Sequence, residues 1–228
     1  MKNRILELSM ACLLILSFYI LSREAVQTVR QAADTADPKV IVVDPGHGGS
    51  DPGMIGIGQL EEKKLNLEIA LRLKSLLEKK GFSVCMTRET DAGLYDENSE
   101  NRKAQDMQRR IALISEKQPV LTVSIHQNSY PDASVRGPQV FYYTDSVEGE
   151  RLAQVLQECL NGMPQVTKPR QAKANKSYYL LKRSPGILNI IECGFLTNPQ
   201  EAELLQTEEY QQQVAEAAAE GICRYLAD

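Results

Sequence analysis

Residues 40–49 read VIVVDPGHGG, and this stretch decides the fold. Four consecutive apolar residues predict a short strand that is buried on both faces, because a half-buried strand would alternate apolar and polar residues. The glycine- and proline-rich continuation predicts a turn directly after the strand. Strands buried on both faces are typical of α/β proteins, in which ligands bind at the carboxyl ends of the strands. His47 is therefore placed where a ligand site is expected.

A second stretch, VLTVSIHQN at residues 120–128, has the same form and contains His126. The chain has only these two histidines, and histidine is the commonest metal ligand. Either histidine alone is as compatible with a hydrogen-bonded structural residue as with a ligand. Their shared position at predicted strand ends favours two ligands to one metal ion. Phosphate binding is the weaker interpretation, because the first turn lacks both the GxxxxGK[ST] and the GxGxxG pattern.

Strands and helices alternate along the rest of the chain. Apolar residues at helical spacing between Leu65 and Leu77 predict a helix that ends near Gly81. The same reasoning predicts further strands at residues 82–87, 120–125, 139–143 and 187–191, and further helices at residues 102–116, 147–160 and 210–226. This succession predicts a single α/β domain with a twisted, largely parallel sheet flanked by helices.

The N-terminal residues form a separate segment. Lys2 and Arg4 precede a mostly apolar run over residues 5–21, which is broken only by Glu7 and some small polar residues. As a helix the run is roughly 25 Å long, which is short for a bilayer core of about 30 Å. We predict a signal peptide or membrane anchor at residues 1–22, a linker at 23–38 and the folded domain at 39–228. The absence of a clean small-x-small cleavage motif favours an uncleaved anchor, with a buried helix as the alternative. Either export signal places the domain outside the cytoplasm.

Charge and cysteine content exclude some functions. The net charge of -4 argues against a nucleic-acid-binding surface. Cys12 hints at a lipid-attachment site, but most of the apolar run follows it rather than precedes it. The other four cysteines form no CxxC pair, and we interpret them as buried small apolar side chains.

Acidic residues are candidates for the rest of the site. Glu61 and Glu62 begin the first helix, where an acid either complements the helix dipole or reaches a metal. Two histidines and a carboxylate with an open fourth position form a recurring catalytic zinc set. Glu192 follows the last predicted strand, and a buried acid there is costly unless it is functional or paired. The alternative for Glu192 is a salt bridge to Arg88 or Arg110.

The imidazoles of such a site also need hydrogen-bond acceptors that fix their tautomers. Asp44 and Asp51 are close to His47 in the sequence and are the candidates, although either can instead cap a turn.

Five blocks of sequence resemble one known family. The blocks are VDPGHGGSDPG at 43–53, EEKKLNLEIALRLKSLLEKKGF at 61–82, MTRETD at 86–91, VSIHQN at 123–128 and IIECGFLTNPQEAELL at 190–205. In this order they resemble the zinc-dependent N-acetylmuramoyl-L-alanine amidase family over about residues 40–225. The chain is most similar to the germination-specific CwlD type of spore-forming bacteria.

The resemblance implies a site and a reaction. It implies one Zn²⁺ ion bound by His47, Glu62 and His126, with Glu192 as the catalytic acid and base, and it prefers Glu62 over Glu61. The reaction implied is hydrolysis of the amide bond between N-acetylmuramic acid and L-alanine in peptidoglycan by a catalytic domain at residues 39–228.

The family pattern also suggests substrate contacts and a biological setting. Gln127 stands where alanine is frequent, and Cys193 directly follows the catalytic acid, so both are expected to line the substrate cleft, together with Asn128. The germination-specific type implies action on spore cortex peptidoglycan during formation of muramic-δ-lactam, in the forespore or cortex compartment. Some relatives are assisted by a lipoprotein partner.

Two other classes of protein remain as alternatives. Another zinc hydrolase of cell-wall polymers, such as a deacetylase or a peptidase, would use similar ligands on a different bond. A non-catalytic wall-binding module would be expected to lack a ligand or the acid, whereas this chain retains all four residues.

Overall fold

The computed structural model describes residues 10, 15, 17–19, 21–23 and 39–227. The predicted signal or anchor segment and the predicted linker lie mostly outside these residues, as does Cys12. Within the part of the chain that is described, no helix combines the length and the apolar character needed to cross a membrane. The chain divides into two units between residues 38 and 39, and the second unit is described below.

A six-stranded sheet forms the centre of the domain. Its strands are β1 (Val40–Pro45), β2 (Ser83–Met86), β3 (Leu121–Asn128), β4 (Gln139–Tyr143), β5 (Lys173–Asn175) and β6 (Leu188–Phe195). The spatial order is β2-β1-β3-β6-β4-β5. All neighbouring pairs are parallel except β4 and β6, which are antiparallel. The largely parallel α/β sheet predicted from the sequence is therefore confirmed.

Helices cover both faces of the sheet. They are α1 (Glu62–Lys79), α2 (Arg102–Lys117), α3 (Val147–Asn161), α4 (Tyr179–Arg183), α5 (Pro199–Leu204) and α6 (Glu208–Ala227). Helices α1 and α3 pack on one face of the sheet and α6 packs on both of them, whereas α2 and the short α4 contact each other over the opposite face. The domain thus has the three layers expected when a buried sheet is covered on both sides.

Alternation along the strands divides the side chains between these two faces. Ile41, Val43 and Ile125 belong to the larger apolar core beside α1, α3 and α6. Val42 and Ile190 belong to a smaller core beside α2 and α4. The smaller core leaves room at the carboxyl ends of the strands, and this space holds the site described below.

Strands β3 and β6 extend further than the sequence pattern indicated. Their apolar runs end at Ile125 and Ile191, but the strands continue to Asn128 and Phe195. His126 and Glu192 are therefore paired inside the sheet rather than located after it. The polar residues end the apolar pattern without ending the strand, because the ladder hydrogen bonds involve the backbone. The sequence pattern also missed β5, α4 and α5, which are too short to show a periodicity.

Candidate metal and catalytic site

The loop after β1 holds His47 in an unusual backbone conformation. Its φ of 63° lies in the left-handed region, which is uncommon for a residue other than glycine. Arg110 Nη2 donates to the His47 carbonyl over 2.6 Å, and Arg88 Nη2 donates to the Gly46 carbonyl over 2.9 Å. The Gly46 N–H donates to the Ile125 carbonyl in β3 over 3.0 Å. Two guanidinium groups and the neighbouring strand thus hold the histidine loop in place.

His47, Glu62 and His126 converge at one point. Their candidate ligand atoms all lie within 4.8 Å of one another. Glu62 lies between the histidines, with Oε2 3.2 Å from His47 Nε2 and Oε1 2.9 Å from His126 Nδ1. The two rings are perpendicular, with centroids 5.0 Å apart. Two imidazole nitrogens and one carboxylate in this arrangement can hold a metal ion.

The structure distinguishes Glu62 from its neighbour Glu61. Glu62 is buried, and its carboxylate accepts the backbone N–H groups of Met54 at 2.8 Å and Gln127 at 3.1 Å. Asn66, one turn later in α1, donates to it over 3.2 Å. Glu61 instead forms an ion pair with Lys64 at 2.6 Å, away from the histidines. Both acids lie at the start of α1, and it is Glu62 rather than Glu61 that contacts the histidines.

Charge around His47 favours a cation. Burial by itself would lower the pKa of His47, but hydrogen bonds to Asp51 and Glu62 and the negative charges of both acids raise it to about 9. The Asp51 carboxylate lies 2.9 Å from Nδ1, on the side of the ring away from the cluster. Negative charge that stabilises a protonated imidazole also stabilises a divalent cation, and an acceptor on the outer nitrogen fixes the ring for ligation. The donor set and its surroundings therefore fit a metal.

Asp44, the other candidate acceptor, has a different role. Its carboxylate is buried and accepts hydrogen bonds from Arg110, Thr87 and Ser124 at 2.5 to 2.6 Å, with no imidazole among its partners in residues 39–227. Burial would raise the pKa of Asp44, but Arg110 and the two hydroxyl donors lower it to about 2. Asp44 thus anchors the arginine that holds the histidine loop.

Glu192 is buried beside the cluster without a partner. It is 7% exposed, and it is the residue of β6 that pairs with His126 of β3. Oε2 has no hydrogen-bond partner among the described residues. Burial raises the pKa of Glu192 to about 7, and the Glu62 carboxylate adds to this effect. The alternative of a salt bridge to Arg88 or Arg110 is not observed, because these arginines bind Asp44, Asp106 and backbone carbonyls.

A cavity of about 420 Å³ opens above these residues. Its walls include Met107 of α2 and Tyr178 and Leu180 at the start of α4, beside both histidines and Glu192. A carboxyl group with a pKa near neutral pH can both accept and deliver a proton. A partly apolar cavity that brings such a group next to a cluster able to bind a metal is suited to hydrolysis.

Two glycines leave no room for a side chain in the cluster. A Cβ at Gly46 would overlap the His126 ring, and one at Gly53 would lie 2.6 Å from Glu62 Oε2 and 2.7 Å from the His47 ring. The backbone thus approaches the ligands closely from two sides, which explains glycine in both turns of the motif.

The predicted substrate contacts are divided between different locations. Gln127 alternates with His126 in β3 and faces the larger core, where Nε2 donates to Asn66 Oδ1 over 3.1 Å, so its side chain supports Glu62 from behind. Cys193 is fully buried in that same core. Asn128 lines a separate cleft next to the cavity. Asn66 was missed in the sequence, although its i+4 spacing from Glu62 on one helix face was a usable signal.

Two imidazoles and a carboxylate that meet at the carboxyl edge of an α/β sheet, beside a buried acid, can hold a metal ion and are suited to hydrolysis. The chain belongs to the N-acetylmuramoyl-L-alanine amidase family, whose model matches residues 41–224. Its activity is accordingly that of an N-acetylmuramoyl-L-alanine amidase acting on peptidoglycan.

Individual relatives agree with this assignment. The germination-specific N-acetylmuramoyl-L-alanine amidase of Bacillus subtilis (strain 168) is 41% identical over 195 residues, which are 83% of this chain and 81% of the relative. The CwlD amidase from Clostridioides difficile, solved in complex with the GerS lipoprotein, has a TM-score of 0.80 and 36% identity, covering 83% of this chain and 98% of the other. An N-acetylmuramoyl-L-alanine amidase from Clostridium difficile 630 has a TM-score of 0.75 and 29% identity, covering 85% and 99%.

Proposed function

We propose that this amidase is a zinc enzyme of spore cortex peptidoglycan, in which His47, Glu62 and His126 bind one Zn²⁺ ion and Glu192 transfers protons. The observation that carries the proposal is the convergence of the three candidate ligands within 4.8 Å beside a buried, unpartnered glutamate. The same set of ligand types recurs in catalytic zinc sites that keep a position open for water or substrate.

The residues of the chain then have separate tasks in amide hydrolysis. A zinc ion bound at this site would supply Lewis acidity, which would polarise the scissile carbonyl and acidify a water molecule. Glu192 accepts the proton of the attacking water at its unpartnered oxygen and delivers a proton to the departing L-alanine nitrogen. Asp51 orients the His47 ring through Nδ1, and the N–H groups of Met54 and Gln127 fix the Glu62 carboxylate.

The cortex role rests on the relatives. The Bacillus subtilis relative is described as germination-specific, and we infer the same setting here, with stem-peptide removal preceding muramic-δ-lactam formation. The CwlD amidase forms a complex with the GerS lipoprotein, which supports a lipoprotein partner for this chain. Lys2, Arg4 and the apolar run that follows support export of the domain and attachment to the membrane through residues 1–22, with residues 23–38 as linker.

Product analysis tests the reaction and its catalytic residue. Purified protein with zinc is incubated with muropeptides, and the products are identified by mass spectrometry. Stem peptides that begin with a free L-alanine amine are expected, and Glu192→Gln is expected to bind one zinc ion and to lower kcat by about 10²–10⁴-fold. Loss of a single acetyl group would instead identify a deacetylase, and cleavage within the peptide would identify a peptidase. Absence of any cleavage would identify a non-catalytic binding module.

A matched pair of variants tests the ligand assignment. Glu62→Gln is expected to lose zinc and activity, whereas Glu61→Gln removes the adjacent acid and is expected to keep both. His126→Ala is expected to lose zinc as well. Retention of one zinc equivalent at wild-type affinity in Glu62→Gln or His126→Ala would refute the assignment.

Muramic-δ-lactam content tests the cortex role. The chain is expected to restore the lactam to spores of a strain that lacks its own germination-specific amidase, and the Glu192→Gln variant is expected not to. Full cleavage of vegetative muropeptides in vitro without restoration of the lactam would be consistent with amidase activity but would refute the cortex role.

A further inference from the structure

A second cleft, of about 530 Å³, lies next to the catalytic cavity. We call it the cationic cleft and define it by the lining residues Asn128, Tyr130, Gln139, Arg170, Lys173 and Asn175. Tyr178 lines both the cleft and the catalytic cavity. The cleft and the cavity are therefore adjacent, with this ring between them.

Two residues of the cleft lie next to the proposed reacting groups in the sheet. Gln139 of β4 is the residue that pairs with Glu192 across the antiparallel β4–β6 edge. Asn128 lies two residues beyond His126 at the end of β3. The cationic cleft thus extends from the proposed reaction centre toward β4 and β5, whereas the catalytic cavity extends toward α2 and α4.

The cleft carries positive charge that no lining acid neutralises. Its lining includes Arg170 and Lys173 and no carboxylate. Arg170 donates to Gln139 Oε1 over 2.8 Å and lies 5.2 Å from the centre of the Phe195 ring, and its Nε is buried with no partner in residues 39–227. The acid that its charge affects is Glu201, which is buried and accepts the Gly137 and Phe195 N–H groups.

Lys173 is the more accessible of the two cations. It is exposed at the start of the edge strand β5, and it forms no ion pair with any acid of the described part of the chain. An exposed ammonium group beside a guanidinium held by neutral partners is suited to bind a carboxylate.

The catalytic cavity has the opposite character. Asp44, Asp51 and Asp106 line it together with Glu192, against Lys103 and Arg110 as cations outside the histidines. Apolar side chains from α2 and α4 form much of the remaining wall. An anion is therefore less favourable on this side than in the cationic cleft.

The two halves of the proposed substrate differ in charge in the same way. The scissile amide joins an N-acetylated sugar, which is uncharged once its lactyl group is in amide linkage, to a peptide that carries free carboxylates. The second residue of that peptide is linked through its side chain, so its α-carboxylate is free close to the scissile bond. We propose that the cationic cleft binds the carboxylates of the stem peptide through Lys173 and Arg170, while the glycan lies on the side of α2 and α4. This inference rests on the proposed amidase function.

A pair of substrates tests the cleft in the zinc-loaded full chain. One is a disaccharide-tripeptide with the free α-carboxylate on its second residue, and the other has that group as a carboxamide. Wild-type enzyme is expected to prefer the carboxylate substrate in kcat/KM, through KM rather than kcat. Lys173→Gln is expected to reduce this preference about fivefold, and Lys173→Glu to reduce it further.

A second exposed lysine serves as the matched control. Lys182 of α4 is exposed and lines neither the cleft nor the cavity, so Lys182→Gln removes the same charge and is expected to leave the preference unchanged. An equal loss of the carboxylate preference in both lysine variants would indicate long-range electrostatic attraction and would overturn the proposed contact with Lys173. The preference of the wild type is also expected to weaken with rising salt, because Lys173 is exposed.

A binding measurement separates this inference from the proposed function. The free tripeptide and its carboxamide analogue are titrated into the Glu192→Gln protein by calorimetry, which requires no turnover. The proposal is supported if the Glu192→Gln protein binds the carboxylate peptide more tightly and the double variant Glu192→Gln with Lys173→Gln loses this difference. Equal binding of the two peptides to the Glu192→Gln protein overturns the proposal. Failure of the wild type to cleave either disaccharide substrate would refute the amidase function, whereas cleavage of both at equal kcat/KM would refute the cleft alone.

Discussion

Replacement of Arg110 by methionine tests how the buried charge network supports the site. The side chain is 2% exposed and forms ion pairs with Asp44 at 2.5 Å and with Asp106 at 2.6 Å. It also donates to the backbone carbonyls of Pro45 and His47. Arg110→Met keeps much of the aliphatic volume and removes the charge and all of these donors. Asp44, which is 1% exposed, is then buried without its ion-pair partner.

The expected loss of stability follows from Asp44. The ordinary pKa of 3.8 is lowered to about 2, which corresponds to about 2.5 kcal/mol at roughly 1.4 kcal/mol for each tenfold change in proton affinity. Removal of one partner of a buried pair costs about 3–5 kcal/mol, because an uncompensated charge remains. We therefore expect Arg110→Met to lower the free energy of unfolding by about 3–5 kcal/mol at pH 7.

The pH dependence has a definite sign. Since the folded-state pKa of Asp44 lies below its unfolded value, its stabilisation is fully present above about pH 4 and is lost as the pH falls through about 2. Without Arg110, the effect of burial dominates and raises the pKa of Asp44. Protonation in acid then removes the unfavourable buried charge of the variant. The deficit relative to the wild type is expected to shrink from pH 7 toward pH 3.

Urea denaturation of the variant and of a matched control measures this effect. Arg109 precedes Arg110 in the same helix and pairs with Asp96 on the surface, where both side chains are substantially exposed. Arg109→Met is expected to destabilise the protein much less than Arg110→Met, because solvent screens the exposed ion pair. Addition of Asp44→Asn to Arg110→Met is expected to recover about 2 kcal/mol, because the unpaired charge is removed. Equal losses for the two arginine variants, or a deficit that grows in acid, would refute the reasoning.

Three further outcomes are expected. The pH profile of kcat/KM should have a rising limb set by ionisation of Glu192. Burial raises the pKa of Glu192 to about 7 and a bound cation lowers it, so we expect a midpoint between about 4.5 and 7. A Glu192→Gln profile with the same limb would contradict this. Gly46→Ala should lower kcat/KM about 100-fold, because its Cβ overlaps the His126 ring. Gly58→Ala strains the backbone at a φ of 70° but adds no contact within 4 Å, and it should retain activity; equal activities of the two variants would refute the steric argument. Asp51→Ala should weaken zinc binding about 10–100-fold in a chelator competition, and unchanged affinity would remove its orienting role.

Much of the fold was predictable because its signals are local. The apolar run at residues 40–43 and the helical spacing between Leu65 and Leu77 correspond to β1 and α1. The ends of β3 and β6 were not predictable, because each strand continues through polar residues that its neighbours hold by backbone hydrogen bonds. The antiparallel direction of β4 likewise depends on its contact with β6 rather than on its own residues.

The candidate site shows a similar division. Both histidines and the buried glutamate were identifiable by residue type and by position near strand ends. The separation of Gln127 from Asn128 depends on which face of β3 each side chain occupies. The different roles of Asp44 and Asp51 depend on a guanidinium 66 residues away from Asp44 in the sequence.

The sequence by itself determined the α/β class, the ligand types and, through ordered motifs, the family. These properties are written in residue chemistry and in periodicities that span a few residues. Only the tertiary structure decided how the Glu62 carboxylate is held between the histidines, why Glu192 has a raised pKa, and where a cationic cleft adjoins the reaction centre. Burial, pairing across strands and the sum of nearby charges arise from residues distant in sequence, and they exist only once the sheet has brought His47, Glu62, His126 and Glu192 to one edge.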